Sequence, residues 1–325
     1  MERISGALYL AGAFTLAGTS VIAARFVSGS LGPFTIAAAS LFFAMLCLIP
    51  LCGRRLRIVV MGLNIRNGLP LLLQALFGIF LFRMFLLQGL IRTSTGEAGI
   101  LTGAIPAITS LLAIMILKEP LRKTRIIGLV ITITGILLVQ GILLPDSGLT
   151  MIHFAGNMLV LCAATCEAIF NILSRFSFVK ANTDKQIKKD ILLQTTLVTC
   201  IAFLLCLVPA FMEKPIQPLL ALNAGQWLAL IWYGVVVTAL AFFFWYAGIK
   251  HCEASMAAVF SGMMPFTALL LSVIILGERP AWLQYMGGLL VIAGMVVSGF
   301  KAENKAAGNS KAVKKDYQKV YEKVG

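Results

Sequence analysis

The sequence predicts an all-α, polytopic membrane protein: ten transmembrane helices arranged as two inverted five-helix repeats. Three observations predict it. The first is composition. Of 325 residues, 59% are hydrophobic and only 12% charged, and mean hydropathy is +0.94. A soluble domain carries about 25% charged residues, so this chain lacks the side chains to cover a water-facing surface. The second is a series of apolar runs near the length that crosses a bilayer, at 6–24, 33–52, 68–90, 98–117, 126–144, 152–173, 191–211, 224–247, 254–276 and 282–300. The third is an internal repeat. Gly89, Pro106, Glu119, Gly128 and Gly135 recur as Gly248, Pro265, Glu278, Gly287 and Gly294, each 159 positions on. Glycine and proline dictate backbone geometry, so matching them in register repeats a shape.

The repeat reaches further back. Cys47-Leu48-Ile49-Pro50 matches Cys206-Leu207-Val208-Pro209 at the same offset, and Arg25-Phe26 matches Arg175-Phe176 at an offset of 150. The difference is about nine extra residues, which the basic loop around Lys180–Lys189 supplies. The chain therefore divides into a first repeat at 1–147, a second at 148–300, and a lysine-rich tail at 301–325. Five spans per half is an odd number, so the second half enters the membrane from the opposite side. That is the inverted-repeat architecture of secondary transporters.

The net charge of +14 does not point to nucleic acid, because of where the charge lies. Arg3, Arg54, Arg55, Arg57, Arg66, the cluster from Lys118 to Arg125, the insert from Arg175 to Lys189, Lys250 and the tail lysines all fall on one side. The other side holds Arg25, Arg92, Lys214 and Arg279, and Arg83 lies within a span. This asymmetry places both termini in the cytoplasm and the protein in the cell membrane. The seven cysteines are scattered through apolar runs without a CxxC, which reads as small buried hydrophobes and gives no metal site.

The two five-helix halves, the endings Leu117-Lys118-Glu119-Pro120 and Leu276-Gly277-Glu278-Arg279-Pro280 of spans 4 and 9, and the glycine-punctuated spans that follow resemble the EamA family of the drug/metabolite transporter superfamily. The resemblance covers about residues 6–300. It implies ten helices, a central cavity between the halves, and transport of small metabolites such as amino acids. The chain has no Gly-Lys pair and hence no P-loop, and neither HExxH nor GxSxG. No cofactor and no enzymatic activity are expected.

The spans differ in chemistry. Span 1 carries Thr15, Gly18, Thr19 and Ser20, a pattern of close helix packing. Span 3 carries Arg83, which costs about 2.5–3.5 kcal/mol on insertion scales unless partnered. It is either an anchor for an anionic group or half of a structural pair with an acid. Gln74 and Gln88 fall on roughly the opposite side of that helix. Span 4 opens with a capping box, Ser94 to Glu97, which assigns Glu97 to helix initiation first, with a proton carrier as the alternative. Thr102, Pro106 and Thr109 share a face. Pro106 frees the carbonyl of Thr102, and Pro265 does the same for Ser261. Two such carbonyls near mid-membrane suit a binding site between inverted repeats, with Pro106 and Pro265 as hinges. Glu119 and Glu278 are expected to cap the next helix. The pairs Gly128/Gly135 and Gly287/Gly294 mark close-packed faces of spans 5 and 10, within the fold or in a homodimer.

Span 6 gathers His153, Asn157, Glu167, Asn171 and Arg175 within one narrow arc. Such a stripe must face protein or water, and Glu167 lies mid-span with no acid at its repeat equivalent, Ala17. Span 8 is aromatic, with Thr238, Phe242, Trp245 and Tyr246 on a broad face. The substrate-site expectation is therefore Arg83, Thr102, Glu167, Asn171, Phe242, Trp245 and Ser261, with proton coupling at Glu167. The tail suits an anionic inner leaflet. The leading function is export of amino acids or similar amphipathic metabolites. The alternatives are multidrug or organic-cation efflux and a non-transporting scaffold or sensor.

Overall fold

The computed structural model describes residues 2–61, 65–117, 123–139, 151–180, 191–251, 260 and 263–300. The first half contains α1 (Glu2–Gly18), α2 (Ser20–Val27), α3 (Pro33–Cys52), α4 (Arg54–Met61), α5 (Ile65–Ala75), a π-helical stretch (Leu76–Leu81), α6 (Phe82–Leu90), α7 (Thr95–Thr102), α8 (Ile105–Leu117) and α9 (Lys123–Val139). The second contains α10 (Met151–Lys180), α11 (Ile191–Met212), α12 (Ile216–Leu220), α13 (Ala224–Ile231), a second π-helical stretch (Trp232–Leu240), α14 (Ala241–His251), α15 (Met263–Leu276) and α16 (Trp282–Phe300). Among the described residues there is no β-strand, only a single bridge between Ser28 and Leu31.

Among the described residues, six segments are long and apolar enough to cross a membrane: Ser5–Val27, Pro33–Cys52, Gly68–Leu90, Met151–Ser174, Leu192–Met212 and Ala224–Gly248. Shorter apolar helices occupy Ile126–Leu138, Met263–Leu276 and Trp282–Gly294. The expected span 4 is divided. Gly103 and Ala104 take tighter bonds, to the carbonyls of Ile100 and Leu101, and α8 restarts at Ile105. Pro106 thus sits in the first turn of a new helix, where its missing N–H costs nothing. Helix starts follow local chemistry elsewhere. Pro33 opens α3 behind an extended Gly32, and Asn223 and Gln226 form a reciprocal capping box on α13.

The packing obeys the repeat. α1 packs on α14, and α10 packs on α6. α1 packs on α15, and α10 packs on α8. α3 meets the second π stretch, and α11 meets the first. Each contact becomes its partner when the halves are exchanged. α7 packs on α15, while two further large interfaces, α3 with α11 and α9 with α16, map onto themselves. At the last of these, a Cβ on Gly135 would lie 2.7 Å from the carbonyl oxygen of Gly287, and one on Gly294 would lie 2.7 Å from that of Gly128. The paired glycines are used inside the chain, where they let two backbones touch.

The core is the reverse of the exterior. Val21, Leu86, Leu90, Ala98, Val160 and Leu230 are fully enclosed between the halves. Leu8, Met61, Leu204, Val208 and Trp282 point outward, as an apolar solvent permits.

Candidate functional site

Arg83 is the centre of the best-defined constellation. It lies two residues past the end of the first π stretch, in the first turn of α6, and is 4% exposed. Its Nη1 donates to Ser40 Oγ at 2.6 Å, its Nη2 donates to Thr238 Oγ1, and its guanidinium carbon lies 4.1 Å from the centre of the Tyr233 ring. The acceptors are themselves fixed. Ser40 Oγ donates to the carbonyl of Ile36 at 2.8 Å, and Thr238 Oγ1 donates to that of Tyr233 at 2.9 Å, five residues back in the second π stretch. Among the described residues no carboxylate pairs with Arg83. Its charge is met by two neutral hydroxyls and a ring face. The expected alternative of a fixed Arg83–Glu167 pair is not formed.

Glu167 lies near this group but apart from it. It makes no hydrogen bond or ion pair among the described residues, and it interacts electrostatically with Tyr233, as does Arg83. The Tyr233 hydroxyl is buried and has no hydrogen-bond partner. One turn beyond Glu167 on α10, the Phe170 ring packs on Gly78 of the first π stretch and lies 5.9 Å from Phe242. Phe242 in turn lies 6.4 Å from Tyr246. Thr238, Phe242 and Tyr246 are four residues apart, so they stack along one face from the guanidinium outward. Trp245 points elsewhere, edge-on to Phe14 of α1 at 5.5 Å, with its indole nitrogen buried and unpartnered.

The other expected site residues are dispersed. Asn171 is on the Glu167 face of α10 and makes no hydrogen bond among the described residues. Thr102 is 1% exposed, but its hydroxyl donates to its own helix, at Gly99 O, 2.6 Å. It is not joined to the Arg83 group. Pro265 is buried in the first turn of α15, and Gly103 packs so closely on it that a Cβ there would lie 3.1 Å from Pro265 Cγ. Ser261 lies outside the described residues, as do Glu119 and the tail.

Three carboxylates join the halves at one end of the bundle. Glu213, at the end of α11, accepts from the N–H groups of Phe34 and Thr35 at 3.2 and 2.8 Å and from Thr35 Oγ1 at 2.7 Å. Glu278, at the end of α15, accepts from Thr95 N and Gly96 N at 2.9 and 2.8 Å. Both cap helices of the other half, where orphan N–H groups and the helix dipole favour an anion. This corrects the expectation that Glu278 caps the next helix: its acceptors are taken by α7, and at the start of α16 Ala281 N donates to Gln284 Oε1.

Glu97 is corrected too. Ser94 accepts from Glu97 N at 3.2 Å, one half of the expected box, but the carboxylate turns inward. Glu97 is 6% exposed. Its Oε2 contacts Thr93 Oγ1 at 3.1 Å, Asn157 Nδ2 at 3.0 Å and His153 Nδ1 at 3.5 Å, and its Oε1 accepts from Gln284 Nε2 at 2.5 Å. The polar stripe of span 6 is thus shared between two places: His153 and Asn157 hold Glu97, while Glu167 and Asn171 stand deeper in the bundle.

Comparison with known proteins agrees with this architecture. The model of the EamA-like transporter family matches residues 4–141 and again 154–300. The chain is 27% identical over 317 residues to "Uncharacterized transporter YetK" of Bacillus subtilis (strain 168), covering 94% of this chain and 90% of that protein. It is 23% identical over 239 residues to "Aromatic amino acid exporter YddG" of Ancylobacter novellus, covering 73% and 77%. It is 25% identical over 216 residues to a "Probable amino-acid metabolite efflux pump" of Salmonella typhimurium, covering 65% and 70%. A crystal structure at 19% identity superposes with a TM-score of 0.61 over 93% of this chain and 100% of the other, a likeness of fold.

Proposed function

Because the chain belongs to the EamA-like transporter family, we propose that it exports amino acids or similarly small amphipathic metabolites by alternating access, with both termini in the cytoplasm. The observation that carries this reading is the buried guanidinium of Arg83, which no carboxylate among the described residues meets. A guanidinium has five N–H donors in a planar fork. Two hydroxyls and a ring hold it in place without neutralising it. A buried charge left uncompensated is costly, and a substrate carboxylate supplies the missing partner in bidentate geometry.

The surroundings suit the rest of an amino acid. Glu167, with no bond of its own, answers an ammonium group. Phe242 and Tyr246, one and two turns along the face that begins at Thr238, take an apolar side chain. Two of the relatives carry amino-acid export or efflux in their names. Pro106 and Pro265 open the first turns of α8 and α15, where the two halves meet through Gly103, and serve as the hinge region. The second reading, organic-cation efflux, has Glu167 and the aromatic rings in its favour. The family match leaves the scaffold alternative without support.

The test is counterflow of a labelled amino acid in proteoliposomes, with competition by amino acids, by their carboxamides and by lipophilic cations. A hydrogen bond to a charged group contributes about 1.5–3 kcal/mol, so the carboxamide should compete roughly 10- to 100-fold more weakly than the acid. In Arg83→Gln, acid and amide should compete alike. An unchanged preference for the acid in that variant refutes Arg83 as the carboxylate receptor. Competition by lipophilic cations alone would favour the second reading.

A further inference from the structure

The cluster around Glu97 is one proton short. Thr93 Oγ1, Glu97 Oε2 and the side-chain amide of Asn157 form a triangle. Thr93 to Glu97 is 3.1 Å, Thr93 to Asn157 Oδ1 is 2.5 Å, and Asn157 Nδ2 to Glu97 is 3.0 Å. Each edge needs a hydrogen. The amide faces Glu97 with its N–H and Thr93 with its oxygen. The single hydroxyl hydrogen of Thr93 then serves one neighbour and not both. Turning the amide over does not help. Its N–H would then face Thr93, and its oxygen would face the carboxylate with nothing between them. In either orientation, two hydrogens are available for three edges.

We propose that Glu97 is a proton-binding site of this transporter, distinct from the substrate group and from Glu167, with His153 as its connection to water. A proton on Glu97 Oε2 supplies the third hydrogen: Glu97 donates to Thr93 Oγ1, and Thr93 donates to Asn157 Oδ1. Gln284 continues to donate to Oε1. His153 Nδ1 lies 3.5 Å from Oε2 and its side chain is 37% exposed. On release, the proton passes from Oε2 to Nδ1, and the ring gives up its other hydrogen, on Nε2, to water. On binding the steps reverse, and atoms and charge balance.

Among the described residues, the groups facing the site are few. α10 presents His153. The connection between α6 and α7 presents Arg92, whose Nη1 is held by the carbonyl and side chain of Gln88 at 2.6 and 2.9 Å. The end of α15 presents Glu278, engaged with Thr95 N and Gly96 N. α16 presents the neutral Gln284. Among the described residues, no cation pairs directly with Glu97 other than a protonated His153. Thr93 and Glu97 belong to the first half, and Asn157, His153 and Gln284 to the second. Without the proton, the charged carboxylate is the stronger acceptor and draws the Thr93 hydroxyl away from Asn157 Oδ1, so the edge that opens is one between the halves, and proton release loosens this end of the bundle. The binding site stands by itself. Only its coupling to export rests on the transport reading.

The test is infrared difference spectroscopy of the full chain in lipid, following the C=O stretch of a protonated carboxylic acid as pH is raised. The parent should show such a band, and Glu97→Gln should lose it. A glutamine amide supplies the hydrogen that the proton supplies, so this variant should stay folded. Glu167→Gln should keep the band, and Thr93→Val should shift it by removing its hydrogen-bond acceptor. His153→Phe should keep the band and slow its exchange in deuterium oxide. A band unchanged by Glu97→Gln, or lost only in Glu167→Gln, overturns the proposal. If the band behaves as stated and no amino acid is transported, the proton site stands and the substrate reading fails.

Discussion

Gly234 is where the frame and the Arg83 group can be disturbed by a single methyl. It is buried in the second π stretch, facing α3. A Cβ there would collide with the carbonyl oxygen of Ser40, and would lie 3.0 Å from Ser40 C and 3.0 Å from Phe43 Cβ. Carbon atoms sit at about 3.5–4.0 Å in ordinary contact, so α3 must retreat by about 0.5–1 Å. A backbone carbonyl cannot swing aside as a side-chain end can. The Ser40 hydroxyl moves with α3 while Thr238 stays on the other wall, and Arg83 spans the two. Lengthening the 2.6 Å Ser40 bond by that amount takes it to or beyond the useful limit of about 3.2 Å. Overpacking costs about 1–3 kcal/mol and a charge-assisted bond about 1.5–3 kcal/mol. With partial relaxation, Gly234→Ala should lose about 2–4 kcal/mol of stability and raise KM for a carboxylate substrate about tenfold. The control is Gly68→Ala, where a methyl meets nothing within 4 Å and a helix gains propensity. Unfolding in detergent and counterflow in proteoliposomes measure both variants. A Gly234→Ala protein with the parent's stability and KM would refute the argument that this backbone contact positions Ser40.

Two further outcomes follow from the carboxylates. Glu278→Ala removes both bonds to the start of α7 and should cost about 1–3 kcal/mol in unfolding measurements, while Glu278→Gln, which keeps an acceptor oxygen, should cost less than half of that. Glu167→Gln breaks no bond among the described residues, so its stability should stay within about 0.5 kcal/mol of the parent, while competition by ammonium-bearing substrates over their deaminated analogues weakens; a variant that unfolds would show that Glu167 has a structural role.

The polar groups that stood out in the sequence were charges inside apolar runs. Arg83 and Glu167 are legible because lipid makes them expensive. Their surroundings are not. Ser40 and Thr238 lie 43 and 155 residues from Arg83, and a hydroxyl in an apolar helix reads equally as close packing. The misreadings at Glu97 and Glu278 share one cause. Capping rules are local, and they assign an acid to the nearest helix start in the chain. Here the tertiary fold offers α7 to Glu278 from the other half, and offers Glu97 a set of donors on α10 and α16. The π stretches were not legible at all, since inserting one residue into a helical turn leaves no pattern of residue types. What the repeat did foretell is the way contacts exchange between halves, because the matched glycines are the points where backbones meet.

The frame is symmetric and its chemistry is not. Displacing the Arg83 group by 159 residues puts Phe242 in place of Arg83, Thr199 in place of Ser40, and Gln74, reading backwards, in place of Tyr233. Thr199 is 1% exposed, and its hydroxyl has no partner: it occupies the place of an acceptor for a cation that this half does not have. Gln74 pairs with Gln194 at 3.1 Å, leaving that locus neutral. One cradle thus carries charge and its mirror is uncharged, an asymmetry that in the export reading orients an amphipathic substrate between them. In the alternating-access reading, the same interfaces serve both access states, so symmetric contacts contribute nearly equally to each. The difference in free energy between the states then falls to the residues that break the symmetry: Arg83 at the centre, and Glu97 with its proton at one end.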